Sequence, residues 1–210
     1  TGDAAGNCII DRCINHGIII SKNNYAGGIC GTSSGISGII RNCVNTGDVE
    51  AKGYAAGIIG NHSGYVYNCY NIGKITTTDS SKSGAGIVAQ GDGRFLKSIY
   101  NCYNAGEVDS VNITKVTNED ENQVDIHYNY YYLAGSSPDV SIKGRSDVLT
   151  SYACKFTFNS SNIPTATETL TVGSTSSTNV TDLLNAWVDA QTNKSDYLLW
   201  KTGSDGFPEF

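Results

Sequence analysis

From Ile9 to Val108 the apolar residues come in short runs, among them Ile9-Ile10, Ile18-Ile19-Ile20, Ile39-Ile40, Ile58-Ile59 and Ile87-Val88, separated by Gly, Asn, Ser and Asp. Runs this short, bounded by turn residues, predict strands, and the stretch carries no helical period. The runs recur in a fixed order. The block Cys-x-Asn-x-Gly-x-(Ile/Val) stands at Cys13–Ile19, Cys43–Val49, Cys69–Ile75 and Cys102–Val108. A second block follows the first three copies, at Gly27–Gly31, Ala56–Gly60 and Ala85–Ala89. A third block, ending in Ile40-Arg41-Asn42, Val66-Tyr67-Asn68 and Ile99-Tyr100-Asn101, leads into the next cysteine. The four cysteines lie 30, 26 and 33 residues apart (43−13, 69−43, 102−69), and the differences fall between blocks rather than inside them.

That period, with three strands and three turns per repeat, predicts a right-handed parallel β-solenoid of about four coils, since a propeller blade needs four antiparallel strands and a longer repeat. Equivalent positions then stack about 4.8 Å apart, and each column of the alignment becomes a ladder in space. The columns Ile10/Ile40/Val66/Ile99, Ile19/Val49/Ile75/Val108, Ile29/Ile58/Ile87 and Cys30/Ile59/Val88 are apolar throughout and are expected to fill the interior. The Asn15/Asn45/Asn71/Asn104 column suits a ladder of side-chain amides. Gly17, Gly47, Gly73 and Gly106 are expected to supply either a positive φ or close backbone approach at a corner.

These blocks resemble the GLUG-type repeat, which recurs in modular bacterial cell-surface proteins and in non-catalytic parts of immunoglobulin A-cleaving metallopeptidases. The likeness rests on the second block at 27–31, 56–60 and 85–89 and on the Cys-x-Asn-x-Gly block, and covers roughly residues 5–135. Ile29, Ile58 and Ile87 stand where the family has Leu, and Ala89 replaces its final Gly. The resemblance implies a surface location and a non-catalytic role, and implies no ligand.

Residues 1–135 therefore form the predicted repeat region and residues 136–210 a C-terminal α+β cap or small subdomain. After Val108 the register is expected to be lost, with an acidic, solvated insertion at Asn118-Glu119-Asp120-Glu121-Asn122. Tyr128–Leu133 reads as a last strand, and Ser146–Phe158 and Glu168–Val172 as strand-like segments. Val180, Leu183, Leu184, Trp187 and Val188 follow the spacing of an amphipathic helix that Asn179 or Thr181 caps. Tyr197–Trp200 is expected to be a strand, followed by a turn at Gly203–Gly206. Gly2 aligns with Gly31 and Gly60, which predicts that the chain starts within a coil of a larger protein.

Composition narrows the function. With 14 basic against 20 acidic residues, a net charge of −6 and no basic run, nucleic-acid binding is not expected. No apolar run approaches the length of a membrane span. Abundant Thr, Ser, Asn, Gly and Tyr match an extracellular bacterial module. The seven cysteines are odd in number, and the Cys13/Cys43/Cys69/Cys102 column is read as a buried reduced ladder. Asp48, Lys74 and Glu107, with Ile18 below them, share an outward column that suits surface ion pairs. Asp125-Ile126-His127 has no nucleophile tied to it, and no metal-ligand spacing or cofactor motif is present. No catalysis, cofactor or metal is expected. Tyr67 and Tyr100 share one column and Tyr70 and Tyr103 another, with Tyr65 nearby, which predicts an aromatic, ligand-binding patch. The expected role is a non-catalytic recognition module of a bacterial cell-surface or secreted protein, monomeric as a piece of a larger chain. Its partner is a host protein, an immunoglobulin by family analogy, or a glycan. The alternatives are a structural spacer presenting another domain and, third, a polysaccharide-active enzyme.

Overall fold

The computed structural model of the protein describes residues 8–92, 96–117, 125–143 and 153–210. The chain winds as a β-solenoid of about four turns with one helix. Four sheets run along its axis. The first joins Ile9–Asp11, Cys30–Arg41, Ile59–Tyr67, Val88–Asp92 with Ser98–Tyr100, Thr114–Thr117 with Asp125–His127, and Ile142–Lys143. The second stacks Ile14–Asn15, Val44–Asn45, Tyr70–Asn71, Tyr103–Asn104 and Asn129–Tyr131 in parallel. The third holds Ile19–Ser21, Val49–Ala51 and Ile75–Thr77, and the fourth Tyr25–Gly27, Tyr54–Ala56 and Gly84–Ala85.

Register places the repeated blocks directly above one another. Ile10, Ile40, Val66, Ile99 and Ile126 are successive partners in one column, and Ile19, Val49, Ile75 and Val108 in another. Column on column, these side chains exclude water from the coil, and Ile58, Ile59, Val66, Ile87, Val88 and Ile99 are fully buried. The cysteine column is interior from its second rung onward, whereas Cys13, on the open first rung, is exposed. Cys43, Cys69 and Cys102 are free thiols with no exposed surface, and each Sγ donates to the carbonyl two residues back, Arg41, Tyr67 and Tyr100, at 3.1, 3.1 and 3.2 Å. A hydrogen bond with Cys69 and burial hold the Cys43 thiol far above its ordinary pKa, which keeps it protonated and unreactive.

The asparagine ladder has the expected form. Asn15 Nδ2 donates to Asn45 Oδ1 at 2.7 Å, Asn45 to Asn71 at 2.7 Å and Asn71 to Asn104 at 2.8 Å. The second amide hydrogen of each goes to the carbonyl of Gly17, Gly47, Gly73 or Gly106. Gly47, Gly73 and Gly106 are needed for close approach, not for positive φ: a Cβ on Gly73 would lie 2.0 Å from the Gly47 carbonyl oxygen. The left-handed conformation falls instead on Asn42, Asn68 and Asn101, with φ of 54°, 52° and 56°. Asparagine tolerates this region because its short polar side chain bonds locally.

The register does not end at Val108. Val111 bridges Ala85, Ile87 N–H donates to the Ile113 carbonyl, and Tyr103 pairs with Tyr130. Shorter connectors hide the continuation in the text while the columns persist. Pairing runs on to Ile142–Lys143 beside Thr114–Lys115. The amide ladder closes on Asn112, whose Nδ2 donates to the carbonyls of Pro138 and Val140. At the opposite end, Ile9, Ile14, Ile18 and Ile20 of the first rung are exposed.

The C-terminal part extends and covers this body. Ala153–Phe158 pairs with Asn129–Tyr131 in parallel and then with Pro164–Val172, which pairs with Thr175–Asn179, both antiparallel. Helix α1, Val180–Ala190, is capped by Asn179 Oδ1 accepting from Thr181 N–H at 2.9 Å, as its sequence predicts. Val180, Leu183, Leu184, Trp187 and Val188 form its buried stripe. Of the segment read as Ser146–Phe158, residues 146–152 lie outside the described residues, as does the acidic insertion at 118–122.

One polar group in the first sheet is at odds with its surroundings. His62 has no exposed surface, its Nε2 meets the Tyr65 carbonyl at 3.3 Å, and its Nδ1 finds no hydrogen-bond partner. Burial lowers its pKa from 6.5 to about 4. A group whose folded pKa is depressed in this way stabilises the fold fully above its unfolded pKa, and the stability drains away as pH falls from 6.5 toward about 4. At 1.36 kcal/mol per unit the loss is of order 3 kcal/mol. His62→Leu, which keeps volume and needs no proton, is expected to flatten urea-unfolding stability over that window. An unchanged pH profile in the variant would show that the imidazole plays no part.

Candidate functional site

The predicted aromatic columns exist, but the chain itself occupies half of them. Tyr70 and Tyr103 stack with ring centroids 5.1 Å apart and planes within 4°. They are buried beneath Trp200, 5.7 Å from each ring, and Phe210. Tyr103 Oη donates to the Pro208 carbonyl. The expectation of an exposed patch is corrected for these two residues: the apolar area of their stack is covered by the C-terminal segment. Burial raises the Tyr70 phenol to about 12 and holds the Tyr103 phenol well above its ordinary value.

What holds that segment in place is a second asparagine ladder that sequence reasoning did not single out. Asn101 Nδ2 donates to Asn68 Oδ1 at 2.7 Å, and Asn68 Nδ2 to Asn42 Oδ1 at 2.8 Å. The remaining amide groups reach across to the C-terminal part. Asn42 bonds the Asp196 carbonyl and Leu198 N–H, Asn68 the Leu198 carbonyl and the Trp200 indole, and Asn101 the Leu184 carbonyl of α1. Tyr197–Trp200 is consequently not the expected strand, because its backbone groups bond to side chains of successive rungs. Arg41 fastens one end, 2.7 Å from Asp196 Oδ2, and holds that carboxyl below the usual carboxylate range. The signal was present in the text as the invariant last letter of the third block, Asn42, Asn68 and Asn101.

Tyr65, Tyr67 and Tyr100 have a different fate. They lie on the outward face of the first sheet, half-buried, with Tyr67 and Tyr100 stacked at 5.8 Å and Tyr65 tilted against Tyr67 at 5.7 Å. One edge of this face abuts Trp187 of α1, 6.0 Å from Tyr67 and 6.3 Å from Tyr100. Its other side brings in residues from the following rung. Ser98 pairs in register with Asp125 and Tyr100 with His127. Tyr100 Oη donates to Asp125 Oδ2, His127 Nε2 lies 2.8 Å from Asp125 Oδ1, and Ser98 Oγ is 3.0 Å from Tyr67 Oη. Burial raises the Tyr67 phenol to about 12, and burial with the adjacent Asp125 carboxylate raises Tyr100 further. Both are neutral hydrogen-bonding groups at neutral pH. Ser98, Asp125 and His127 were not tied to this face by sequence, and aligning Asp125-Ile126-His127 onto Ser98-Ile99-Tyr100 would have placed them there.

The charged column lies elsewhere, on the third sheet and its turn. Lys74 Nζ is 3.2 Å from Glu107 Oε2, while Asp48 accepts from the Lys74 backbone N–H at 2.9 Å. Only the upper pair is thus an ion pair of side chains, and Glu107 also accepts from Ser136. Among the described residues no group of three or more His, Cys, Asp or Glu side chains is arranged to hold a metal ion. Also among them, no helix is long and apolar enough to cross a membrane.

Fold and surface together define a parallel β-solenoid with an aromatic, weakly charged outward face bounded by its own C-terminal helix. Compared with protein-family models, curated proteins and solved structures, the chain finds no match.

Proposed function

We propose that this chain is a non-catalytic recognition module of a bacterial cell-surface or secreted protein, and that it binds a partner protein on the outward face of its first sheet. The observation that carries the reading is the row of three half-buried tyrosines, Tyr65, Tyr67 and Tyr100, packed ring against ring, with the Asp125 carboxylate bonded to Tyr100 at its end. Rigid aromatic area with a carboxylate acceptor at its edge suits a protein surface that presents a basic side chain. The likeness to GLUG-type repeats supports the surface location, and by family analogy an immunoglobulin is a candidate partner. A non-catalytic role is supported by how the polar groups are spent: the Ser98 hydroxyl bonds Tyr67, and His127 Nε2 faces Asp125.

The test is a binding measurement on immobilised host secretions, serum immunoglobulin included, followed by Tyr65→Ala combined with Asp125→Asn. Saturable capture of a specific protein is expected, weakened at least tenfold by the double variant with the thermal midpoint nearly unchanged. Capture that survives the double variant would remove this face from the function. A second reading, a spacer that holds another domain outward, is favoured by the unbroken amide ladders along the axis. It gains if no secreted host protein is retained.

A further inference from the structure

One imidazole links the coil interior to the tyrosine face. His62 lies three residues before Tyr65 on the strand Ile59–Tyr67 and has no exposed surface. Its Nε2 meets the Tyr65 main-chain carbonyl at 3.3 Å. A carbonyl only accepts, so Nε2 carries the hydrogen and Nδ1 is the bare nitrogen of the neutral ring. Nδ1 has no hydrogen-bond partner. A proton added there creates a buried cation whose new N–H finds no acceptor, and that state costs far more than the neutral ring.

The surroundings offer that proton no compensation. In the His62 column, Cys30–Arg41 presents Ser33, Val88–Asp92 presents Gly91 and, one strand further, Thr114–Thr117 presents Val116. Leu96 fills the space beside Gly91, where a Cβ would meet its Cδ2 at 2.3 Å. Among the described residues no Asp, Glu, Lys or Arg shares this column, and the Cys30 thiol on the adjoining strand donates to the Thr32 carbonyl. Arg41 and Asp125 stand in the outward columns of Tyr67 and Tyr65, and Lys115 alternates with the buried Thr114 and Val116. The ladder is interrupted here on both sides. On one side the register breaks between Ser33, opposite His62, and Gly38, opposite Gly64. On the other, pairing stops at Gly91, opposite His62, and resumes at Ser98, opposite Tyr65. Gly64 itself has φ of 140°, a conformation that favours glycine.

We propose that His62 is an acid-operated latch on the recognition face: neutral, it holds the Tyr65 carbonyl, and once protonated it swings out of the interior at the Ser63–Gly64 break, carries Tyr65 out of the row and releases the bound protein. Burial lowers the imidazole's pKa from 6.5 to about 4, so protons favour the open state, whose ring is solvated, as pH falls below 6.5. Between pH 7.5 and pH 5 the ratio of open to latched chains rises about thirtyfold. The proposal rests on the reading of the Tyr65–Tyr100 face as the binding surface and adds its regulation. Asp125 and His127 are titratable and sit on that face, so variants of His62, rather than pH alone, decide the case.

The experiment is hydrogen exchange of the intact chain, read by NMR amide by amide at pH 7.5 and pH 5 and corrected for intrinsic rates, beside capture on immobilised host secretions, serum immunoglobulin included, at the same two pH values. Protection of the His62–Tyr67 amides is expected to fall about thirtyfold more than that of Val49 and Ile75 on the third sheet. His62→Leu and, separately, His62→Gln, which keeps a donor and takes up no proton, should each abolish that excess. Protein captured at pH 7.5 should elute at pH 5 from the parent and stay on the variants. The proposal is overturned if protection of His62–Tyr67 does not fall, if it falls equally at Val49 and Ile75, or if the variants lose it as the parent does. The exchange readout needs no partner. An excess loss of protection with nothing captured at either pH would sink the recognition reading and leave the latch, whereas capture that persists at pH 5 on a chain whose strand stays protected would sink this inference alone.

Discussion

Replacing Asn71 by alanine is expected to lower the unfolding free energy by roughly 4 kcal/mol, read as a fall in the urea midpoint at unchanged slope. The side chain has no exposed surface. It donates to the Gly73 carbonyl at 2.9 Å and Asn104 Oδ1 at 2.8 Å, and accepts from Asn45 Nδ2 at 2.7 Å. Alanine strands all three partners in a place water does not reach, and each buried unpaired group costs about 1–3 kcal/mol. The same change at Asn15, on the exposed rung, is expected to cost about 1 kcal/mol or less, because water replaces what is lost. Equal losses at the two positions would mean that burial of the ladder is not what gives it strength.

Trp200→Ala is expected to cost about 4–5 kcal/mol, within the range for removing a buried tryptophan from a packed site. The indole packs at 5.7 Å against Tyr70 and Tyr103 and at 4.3 Å against Phe210, and its N–H donates to Asn68 Oδ1 at 2.7 Å. Its loss opens the stacked tyrosines to solvent. Increased binding of a hydrophobic dye and new reactivity of Tyr70 toward nitration should accompany the drop in stability, with Trp200→Phe intermediate. A stable variant in which Tyr70 stays protected would show that the tail is held by the asparagine ladder alone.

The two costs trace what could and could not be read in the sequence. The interior columns and the Asn15–Asn104 ladder were legible because stacking at one rung spacing turns a repeated letter into a line of neighbours. The place of positive φ was not, since Gly and Asn are both permitted there. The choice depended on which position met a backbone oxygen 2.0 Å away on the next rung. The coil after Val108 escaped notice because the motif letters change while the register, a property of pairing, continues through Val111, Ile113 and Ile126.

The candidate site divides the same way. A column of tyrosines was predictable, but its exposure was not, because exposure depends on what else packs there. The C-terminal segment has no repeat and so no self-reference in the text. Its partners are Asn42, Asn68 and Asn101, up to 156 residues away from the atoms they bind. Periodicity by itself thus determined the solenoid, its apolar interior and its amide ladder, since these follow from local spacing and one repeated translation. Tertiary structure alone decided that Tyr70 and Tyr103 are covered while Tyr65, Tyr67 and Tyr100 stay half-buried on the outward face, with Asp125 bonded to Tyr100. Which apolar face a non-repeating segment buries is set by shape and unpaired polar groups across the whole molecule, and no local pattern carries that information.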